Sequence, residues 1–200
     1  MSTSLLSNVR TWTPAVPRLI HLNGPPGIGK STLAQMYVDK HPGVLNLDVD
    51  LIRGLIGGWR DRFAETGEIV RPIALSIAHT HLLAGYDVIM PQYLGVLSEI
   101  ERFEAVALDA GAAFWEVVLM DTKERSVERF TRRGENDELP WHRQAKEIVE
   151  RNGGPALLAD MHDRLIDMVR ARPNAVVVPS VAEAVHRTYE ALIAVLERGA

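Results

Sequence analysis

The sequence contains the stretch Gly24-Pro25-Pro26-Gly27-Ile28-Gly29-Lys30-Ser31, which fits the pattern G-x-x-x-x-G-K-[ST]. This pattern is typical of a loop that wraps around phosphate groups, because its glycines let successive backbone N–H groups point at one anion. We expect Lys30 to reach the β- and γ-phosphates and the Ser31 hydroxyl to bind Mg²⁺. The stretch therefore predicts a site for a nucleoside triphosphate, with ATP and Mg²⁺ as the expected ligands. The predicted nucleotide-binding residues are Gly24, Pro25, Pro26, Gly27, Ile28, Gly29, Lys30, Ser31 and Thr32.

A strand should precede this loop and a helix should follow it if the match is meaningful. Residues 18–23 are short and largely apolar, as in a buried strand, and residues 31–38 are typical of a helix that runs to about Lys40. The positive end of the helix dipole would then face the phosphates. Both flanks agree with the motif, so an accidental lysine after a glycine-rich turn is the weaker interpretation.

The composition is typical of a globular domain. The chain has 200 residues, of which 46% are hydrophobic and 24% charged. We expect one domain at residues 18–200, preceded by an N-terminal arm at residues 1–17. A formal net charge of −4 gives no general attraction to nucleic acid, so a nucleic-acid partner is not expected. Zero cysteines exclude disulfides, thiolate metal sites and a cysteine nucleophile.

The sequence also bears on location. Its apolar runs are shorter than the roughly 20 residues that span a bilayer. Residues 1–17 lack the basic start and apolar core of a secretory signal. We therefore expect no membrane partner and a cytoplasmic location, where ATP is available.

Predicted strands and helices alternate after residue 18, which indicates an α/β fold with a parallel sheet and helices on both faces. Residues 59–68 are polar and mixed, and we expect them to form a connection. Ligands of such sheets bind beyond the carboxyl ends of the strands, so functional residues should follow strands one to four. The expected strands are 18–23, 44–48, 86–90, 113–120 and 175–178, and the later helices are 49–57, 72–84, 98–110, 123–133, 141–151, 156–171 and 181–196.

Two acids, Asp48 and Asp50, follow the second strand. One of them could accept a proton from an acceptor hydroxyl, and the other could orient Mg²⁺; we assign these roles to Asp50 and Asp48 respectively. The alternative is that Asp50 only caps the following helix. Arg53 lies one turn after Asp50, where it could hold a substrate or simply pair with Asp50.

The loop after the third strand carries Gln92 where an acid might hold magnesium. We expect Gln92 either to contact the acceptor or a magnesium-bound water, or only to satisfy backbone groups of its loop.

Arginines at 125, 129 and 133 lie along one stripe of the helix after the fourth strand. Guanidinium groups match phosphate oxygens and can stabilise a transferring phosphoryl group. We expect Arg129 and Arg133 to belong to a lid at approximately residues 122–154. The alternative is a solvated helix face balanced by Glu124 and Glu128.

Together, the P-loop, the Val49-Asp50-Leu51 stretch with Arg53, and the arginine helix resemble the small P-loop kinases. The likeness is to the group that contains chloramphenicol phosphotransferase, zeta toxins and gluconate kinase-like proteins. It implies a three-layer P-loop NTPase fold with a five-stranded parallel sheet ordered 2-3-1-4-5 and a helical lid. It also implies Asp50 as the acceptor-side base, Lys30 and Ser31 on phosphate and Mg²⁺, and Arg129 and Arg133 closing over the phosphates.

The sequence thus predicts an ATP- and Mg²⁺-dependent phosphotransferase. Its catalytic residues would be Lys30, Asp50, Arg129 and Arg133, and its acceptor a small-molecule hydroxyl of antibiotic, sugar or nucleoside type. The predicted metal contacts are Ser31 and Asp48, and the predicted substrate contacts are Asp50, Arg53 and Gln92. Two alternatives remain open, a nucleotide-dependent ATPase or switch with a protein partner and a polynucleotide 5′-hydroxyl kinase.

Overall fold

The computed structural model describes residues 16–133 and 140–198, with side chains at all of these positions except 133 and 140–143. Most of the predicted N-terminal arm, residues 1–15, and the 134–139 part of the predicted lid therefore lie outside the described residues. The strands are β1 (Arg18–Asn23), β2 (Leu45–Asn46), β3 (Val88–Met90), β4 (Ala113–Met120) and β5 (Val176–Pro179). The helices are α1 (Lys30–Lys40), α2 (Val49–Arg53), α3 (Phe63–Leu83), α4 (Leu97–Asp109), α5 (Lys123–Arg133), α6 (Pro140–Arg151), α7 (Pro155–Ala171) and α8 (Val185–Glu197).

The five strands form one parallel sheet in the order β2-β3-β1-β4-β5, which confirms the predicted fold class and strand order. β1 is the central strand, with Ile20 in register with Ile89 on one side and Trp115 on the other. Because all strands run in the same direction, the loops after β1, β2, β3 and β4 meet at one edge of the sheet.

Alternate residues of β1 face two separate cores, as the period of a strand requires. Leu19 belongs to the core covered by α3, α4 and α7, whereas Ile20 and Leu22 belong to the core covered by α1 and α8. The first core includes Ala74, Ala78, Phe103 and Met168, and the second includes Leu33, Tyr37, Leu192 and Leu196. The sheet is therefore the middle of three layers.

The expected connection at residues 59–68 and the expected helix start at Pro72 are wrong, because α3 begins at Phe63 and contains Pro72 in its interior. A proline ordinarily ends a helix or opens its first turn, which is why the sequence predicted a boundary there. A tertiary contact holds the first turn of α3 instead. The Arg53 guanidinium stacks on the Phe63 ring at 3.9 Å, and its Nη1 donates to the Phe63 carbonyl at 2.6 Å.

The segments around the second strand are shorter than expected. β2 has two residues because it is an edge strand that pairs only with β3, although Leu47 N still donates to Ile89 O at 2.8 Å. α2 ends at Arg53 rather than near Gly57. Within the described residues, none of the helices combines the length and the apolar character needed to cross a membrane.

Arg172, directly after α7, ties that helix to the sheet through a buried carboxylate. Its Nε donates to Glu116 of β4 at 2.8 Å, and its Nη1 donates to Glu104 of α4 at 2.7 Å. Glu116 is only 5% exposed, and burial raises the pKa of its carboxyl. The arginine therefore compensates a charge that the core would otherwise reject.

We predict that Arg172→Ala lowers the free energy of unfolding by about 3 kcal/mol at pH 7, because Glu116 loses its buried partner. Arg170→Ala is the matched control, because Arg170 forms an exposed ion pair with Asp167 on α7. This pair should contribute less than about 0.5 kcal/mol. Urea denaturation measures both variants, and equal losses would contradict this account.

Candidate active site

The P-loop between β1 and α1 has the backbone shape that only glycine accommodates easily. Gly24, Gly27 and Gly29 have φ of 148°, 78° and 107°, in the region that other residues rarely adopt. Space is restricted as well, because a Cβ on Gly24 would lie 2.7 Å from the Leu119 carbonyl oxygen. A Cβ on Gly27 would lie 3.1 Å from the Phe130 Cα, so the loop packs directly against α5.

The residues predicted to bind phosphate lie at the start of α1. Lys30 is its first residue, and its Nζ donates to the carbonyl oxygens of Gly24 at 2.7 Å and Pro25 at 2.9 Å. Ser31 and Thr32 follow in the first turn and are exposed to solvent. The loop thus brings together a lysine, an exposed serine and a helix N-terminus. These three features favour the binding of an anion at the start of α1.

Asn23, at the end of β1, connects the P-loop to the loop after β3. Its side chain is fully buried, and its Oδ1 accepts from Gly24 N at 2.9 Å and from Leu94 N at 3.1 Å. Its Nδ2 donates to Leu94 O at 2.9 Å. Sequence reasoning missed this residue, although a polar side chain that ends an otherwise apolar central strand is a usable signal.

The two acids after β2 have different environments. Asp48 caps α2, because its Oδ1 accepts from Asp50 N at 3.0 Å, so the helix-capping role considered for Asp50 falls to Asp48. The Asp50 carboxylate lines a cavity together with Lys30. Burial first, and then the charge of Asp48, raises the pKa of Asp50 to about 6, while Arg53 and Lys30 act in the opposite direction.

Arg53 pairs with Asp50 and is 8% exposed. Its Nε lies 3.6 Å from Asp50 Oδ1, and its Nη1 also lies 3.4 Å from Thr66 Oγ1. Burial lowers the pKa of Arg53, and Asp50 raises it. Arg53 therefore links α2 to α3 beside the Asp50 carboxylate, while part of it still lines the cavity.

Gln92 is held by its backbone rather than by its side chain. Burial lowers the pKa of His21 to about 4, so this imidazole is neutral near pH 7 and its Nε2 donates to Gln92 O at 2.9 Å. The Gln92 Oε1 atom is buried and has no hydrogen-bond partner among the described residues. Gln92 as a residue lines the same cavity as Asp50.

Arg129 lies against the backbone of the P-loop. Its Nη2 donates to Ile28 O at 2.9 Å, and its Nη1 donates to Ser180 O at 2.9 Å. Ser180 is itself buried after β5, and its Oγ donates to the same Ile28 carbonyl at 2.9 Å. The Arg133 side chain lies outside the described residues.

A cavity of about 460 Å³ lies between the P-loop, α2, the loop after β3 and helices α6 and α7. This volume is in the range of small-molecule sites. Among the predicted site residues, Pro26, Gly27, Lys30, Ser31, Asp50, Arg53 and Gln92 line it. The additional lining residues that sequence reasoning missed include Arg71, Leu94, Glu99, Phe103, Phe130 and Met161. They come from elements distant in the chain, so spacing alone could not bring them together.

Comparison with known proteins agrees with this architecture. The sequence matches the family model described as AAA domain over residues 19–152. No protein in the curated collection matches the chain.

Several solved structures share the fold. A gluconokinase from Sinorhizobium meliloti 1021 is 20% identical, with a TM-score of 0.61, over 92% of this chain and 93% of that chain. The tunicamycin resistance protein of Deinococcus radiodurans is 17% identical, with a TM-score of 0.59, over 90% and 95% respectively. A chain of an RNA repair complex is 16% identical, with a TM-score of 0.58, over 80% of this chain and 48% of that chain. The chain therefore has the fold of small P-loop kinases, as the resemblance predicted.

We predict that Asn23→Ala lowers the free energy of unfolding by about 2–4 kcal/mol, because three buried backbone groups lose their partner. Amide hydrogen exchange in residues 92–96 should also become faster, because the loop after β3 loses its attachment to the P-loop. Asn152→Ala is the control, since Asn152 is exposed and donates one hydrogen bond at the end of α6. Unchanged exchange in the loop after β3 would contradict the role given to Asn23.

Proposed function

The chain belongs to the AAA domain family, and we propose that it is an ATP- and Mg²⁺-dependent kinase that transfers the γ-phosphoryl group to a hydroxyl of a small molecule. The observation that carries this proposal is that Asp50 lines the same cavity as Lys30 and Ser31. A carboxylate opposite a phosphate-binding loop is the arrangement that a hydroxyl acceptor requires, because the hydroxyl must lose a proton as its oxygen attacks phosphorus.

The donor half of the proposal rests on the P-loop. Its glycines leave the backbone N–H groups of residues 27–31 near the start of α1, where an anion is favoured. In this proposal Lys30 exchanges its two carbonyl partners for phosphate oxygens. Arg129 stabilises the conformation of the loop by donating to the Ile28 carbonyl. Arg133 belongs to a lid at approximately residues 122–154.

The acceptor half rests on Asp50. The acceptor oxygen forms a bond to the γ-phosphorus, the bond from this phosphorus to the bridging oxygen breaks, and ADP leaves with that electron pair. Asp50 takes the hydroxyl proton, and the Arg53 guanidinium, whose Nε lies 3.6 Å from Asp50 Oδ1, favours the ionised carboxylate. A pKa of about 6 leaves Asp50 ionised at pH 7 and more basic than an ordinary aspartate.

The residues present also fit a magnesium ion. Ser31 offers an exposed hydroxyl, and Asp48 lies close enough to Asp50 to raise its pKa. Hydroxyl and carboxylate oxygens are the hard donors that Mg²⁺ prefers. We therefore propose Ser31 and Asp48 as the residues that hold it. When bound, the ion would neutralise charge on the β- and γ-phosphates.

We predict that Lys30→Ala reduces phosphoryl transfer about 10³-fold and weakens ATP binding, because the loop loses its phosphate-directed charge. Asp50→Asn should retain ATP binding and reduce transfer about 10²–10⁴-fold, because the amide cannot take the proton. Lys40→Ala and Asp39→Asn, exposed at the far end of α1, are the matched controls.

The measurements are ATP binding by calorimetry and transfer from radiolabelled ATP to a panel of sugars, nucleosides and phenicol-type antibiotics. Full transfer by Asp50→Asn would refute its role as base. ATP consumption that stays the same with every acceptor would favour an ATPase or switch instead. Transfer to a 5′-hydroxyl oligonucleotide alone would favour the polynucleotide kinase.

We predict that kcat/KM falls tenfold per pH unit below about pH 6 and is flat above it up to neutral pH. The pKa of Asp50 is raised from its ordinary value to about 6, so the active ionised form is lost as the pH falls through 6. The check is a pH profile of transfer for wild type and Asp50→Asn. A wild-type acid limb near pH 4 would contradict the raised pKa of Asp50, and an unchanged limb in Asp50→Asn would show that another group controls the rate.

A further inference from the structure

The arginines that line the cavity away from the P-loop are paired with acids. Apart from Lys30, the cationic lining residues are Arg53, Arg71, Lys146 and Arg164. The acids that line the cavity or pair with these arginines are Asp50, Glu68, Glu99 and Asp160. Each of the three arginines therefore already has an acidic partner, and an anionic group on the acceptor would have to compete with that partner.

Arg71 has a guanidinium group of the kind that binds carboxylates, but two acids already pair with it. Its Nη1 lies 2.6 Å from Glu68 Oε1, and its Nη2 lies 2.7 Å from Glu99 Oε1. Arg71 lies on α3 and Glu99 on α4, so the second pair crosses between two helices. A carboxylate or phosphate on the acceptor would have to displace Glu99, and the displaced acid would then repel it.

Many of the other side chains that line the cavity are apolar. Leu94 and Phe103 are buried, and Ile148, Val149, Leu157 and Met161 close the opposite side from α6 and α7. Such a surface stabilises a ligand in proportion to the apolar area that it removes from water. A polyol would lose its hydration against these side chains without gaining hydrogen bonds. The wall therefore favours a ring or a short hydrocarbon body.

A few polar groups remain to orient such a molecule. The Glu99–Arg71 pair presents donors and acceptors together at the wall of the cavity. These groups suit neutral hydroxyl or amide substituents, which can donate to an oxygen and accept from a guanidinium.

We propose that the acceptor is an uncharged, amphipathic small molecule with an apolar body, rather than a sugar acid, a sugar phosphate or a polynucleotide end. This inference rests on the proposed kinase function, since it concerns the substrate of the same site. Arg71 and Glu99 determine its specificity by neutralising each other at the wall of the cavity.

The first test uses four probes that differ in charge and in apolar body. They are methyl 4-(hydroxymethyl)benzoate, its free acid 4-(hydroxymethyl)benzoate, sorbitol and gluconate, and each carries a primary hydroxyl. Calorimetric titration of the protein without nucleotide should show the ester binding at least about tenfold more tightly than the other three. Equal or tighter binding of the free acid, sorbitol or gluconate would overturn the proposal.

The second test changes the charge balance. Glu99→Gln leaves Arg71 with one acid, so the ratio of free-acid to ester affinity should rise about tenfold. Glu101→Gln is the matched control, because Glu101 is exposed on the same helix and does not line the cavity. Its ratio should equal that of wild type. An unchanged ratio in Glu99→Gln would overturn the role of the pair.

Failure of this inference can be distinguished from failure of the kinase proposal. Lys30-dependent transfer from ATP to gluconate, with no binding of the ester, would support the kinase and overturn the acceptor inference. The expected binding order without transfer to any probe in the presence of ATP would support the acceptor inference and count against the kinase.

Discussion

The site depends on one buried amide. Asn23 joins the start of the P-loop to the loop after β3 through Gly24 N, Leu94 N and Leu94 O. Residues of both loops line the cavity, so a single side chain joins two parts of its wall. Breaking these buried hydrogen bonds would cost free energy, so the connection between the two loops is rigid. No aliphatic residue at the end of β1 could supply both a donor and two acceptor positions.

A second set of contacts attaches the P-loop to α5 and to the residue after β5. The Ile28 carbonyl accepts from both Arg129 and Ser180, while the backbone of Phe130 packs against Gly27. The arginine stripe that the sequence suggested for a lid is thus attached to the loop at Arg129. Helix α5 is consequently coupled to the P-loop, because any movement of this helix must strain or break these contacts.

The part of the cavity around Asp50 combines a carboxylate of raised pKa with many apolar side chains. Asp50 is kept basic mainly by burial, and the same burial excludes water from the neighbouring apolar side chains. Arg53 compensates Asp50 and also holds the unexpected first turn of α3 through Phe63. Because Arg53 contacts both Phe63 and Asp50, the position of α3 and the pKa of Asp50 depend on the same side chain.

The sequence by itself determined the P-loop, the parallel α/β fold and the strand-end position of Asp50, because glycine spacing and apolar periodicity are local properties of the chain. It also located most helices, but it failed at Pro72, which lies inside α3 and not at its start. Only the tertiary structure decided that Asp48 caps α2, that Asn23 joins two loops and that Glu99 neutralises Arg71. The last two are contacts between residues tens of positions apart, and the first depends on where β2 actually ends. The pairing of distant side chains follows from the packing of the whole sheet and its helices, and no local pattern in the sequence encodes it.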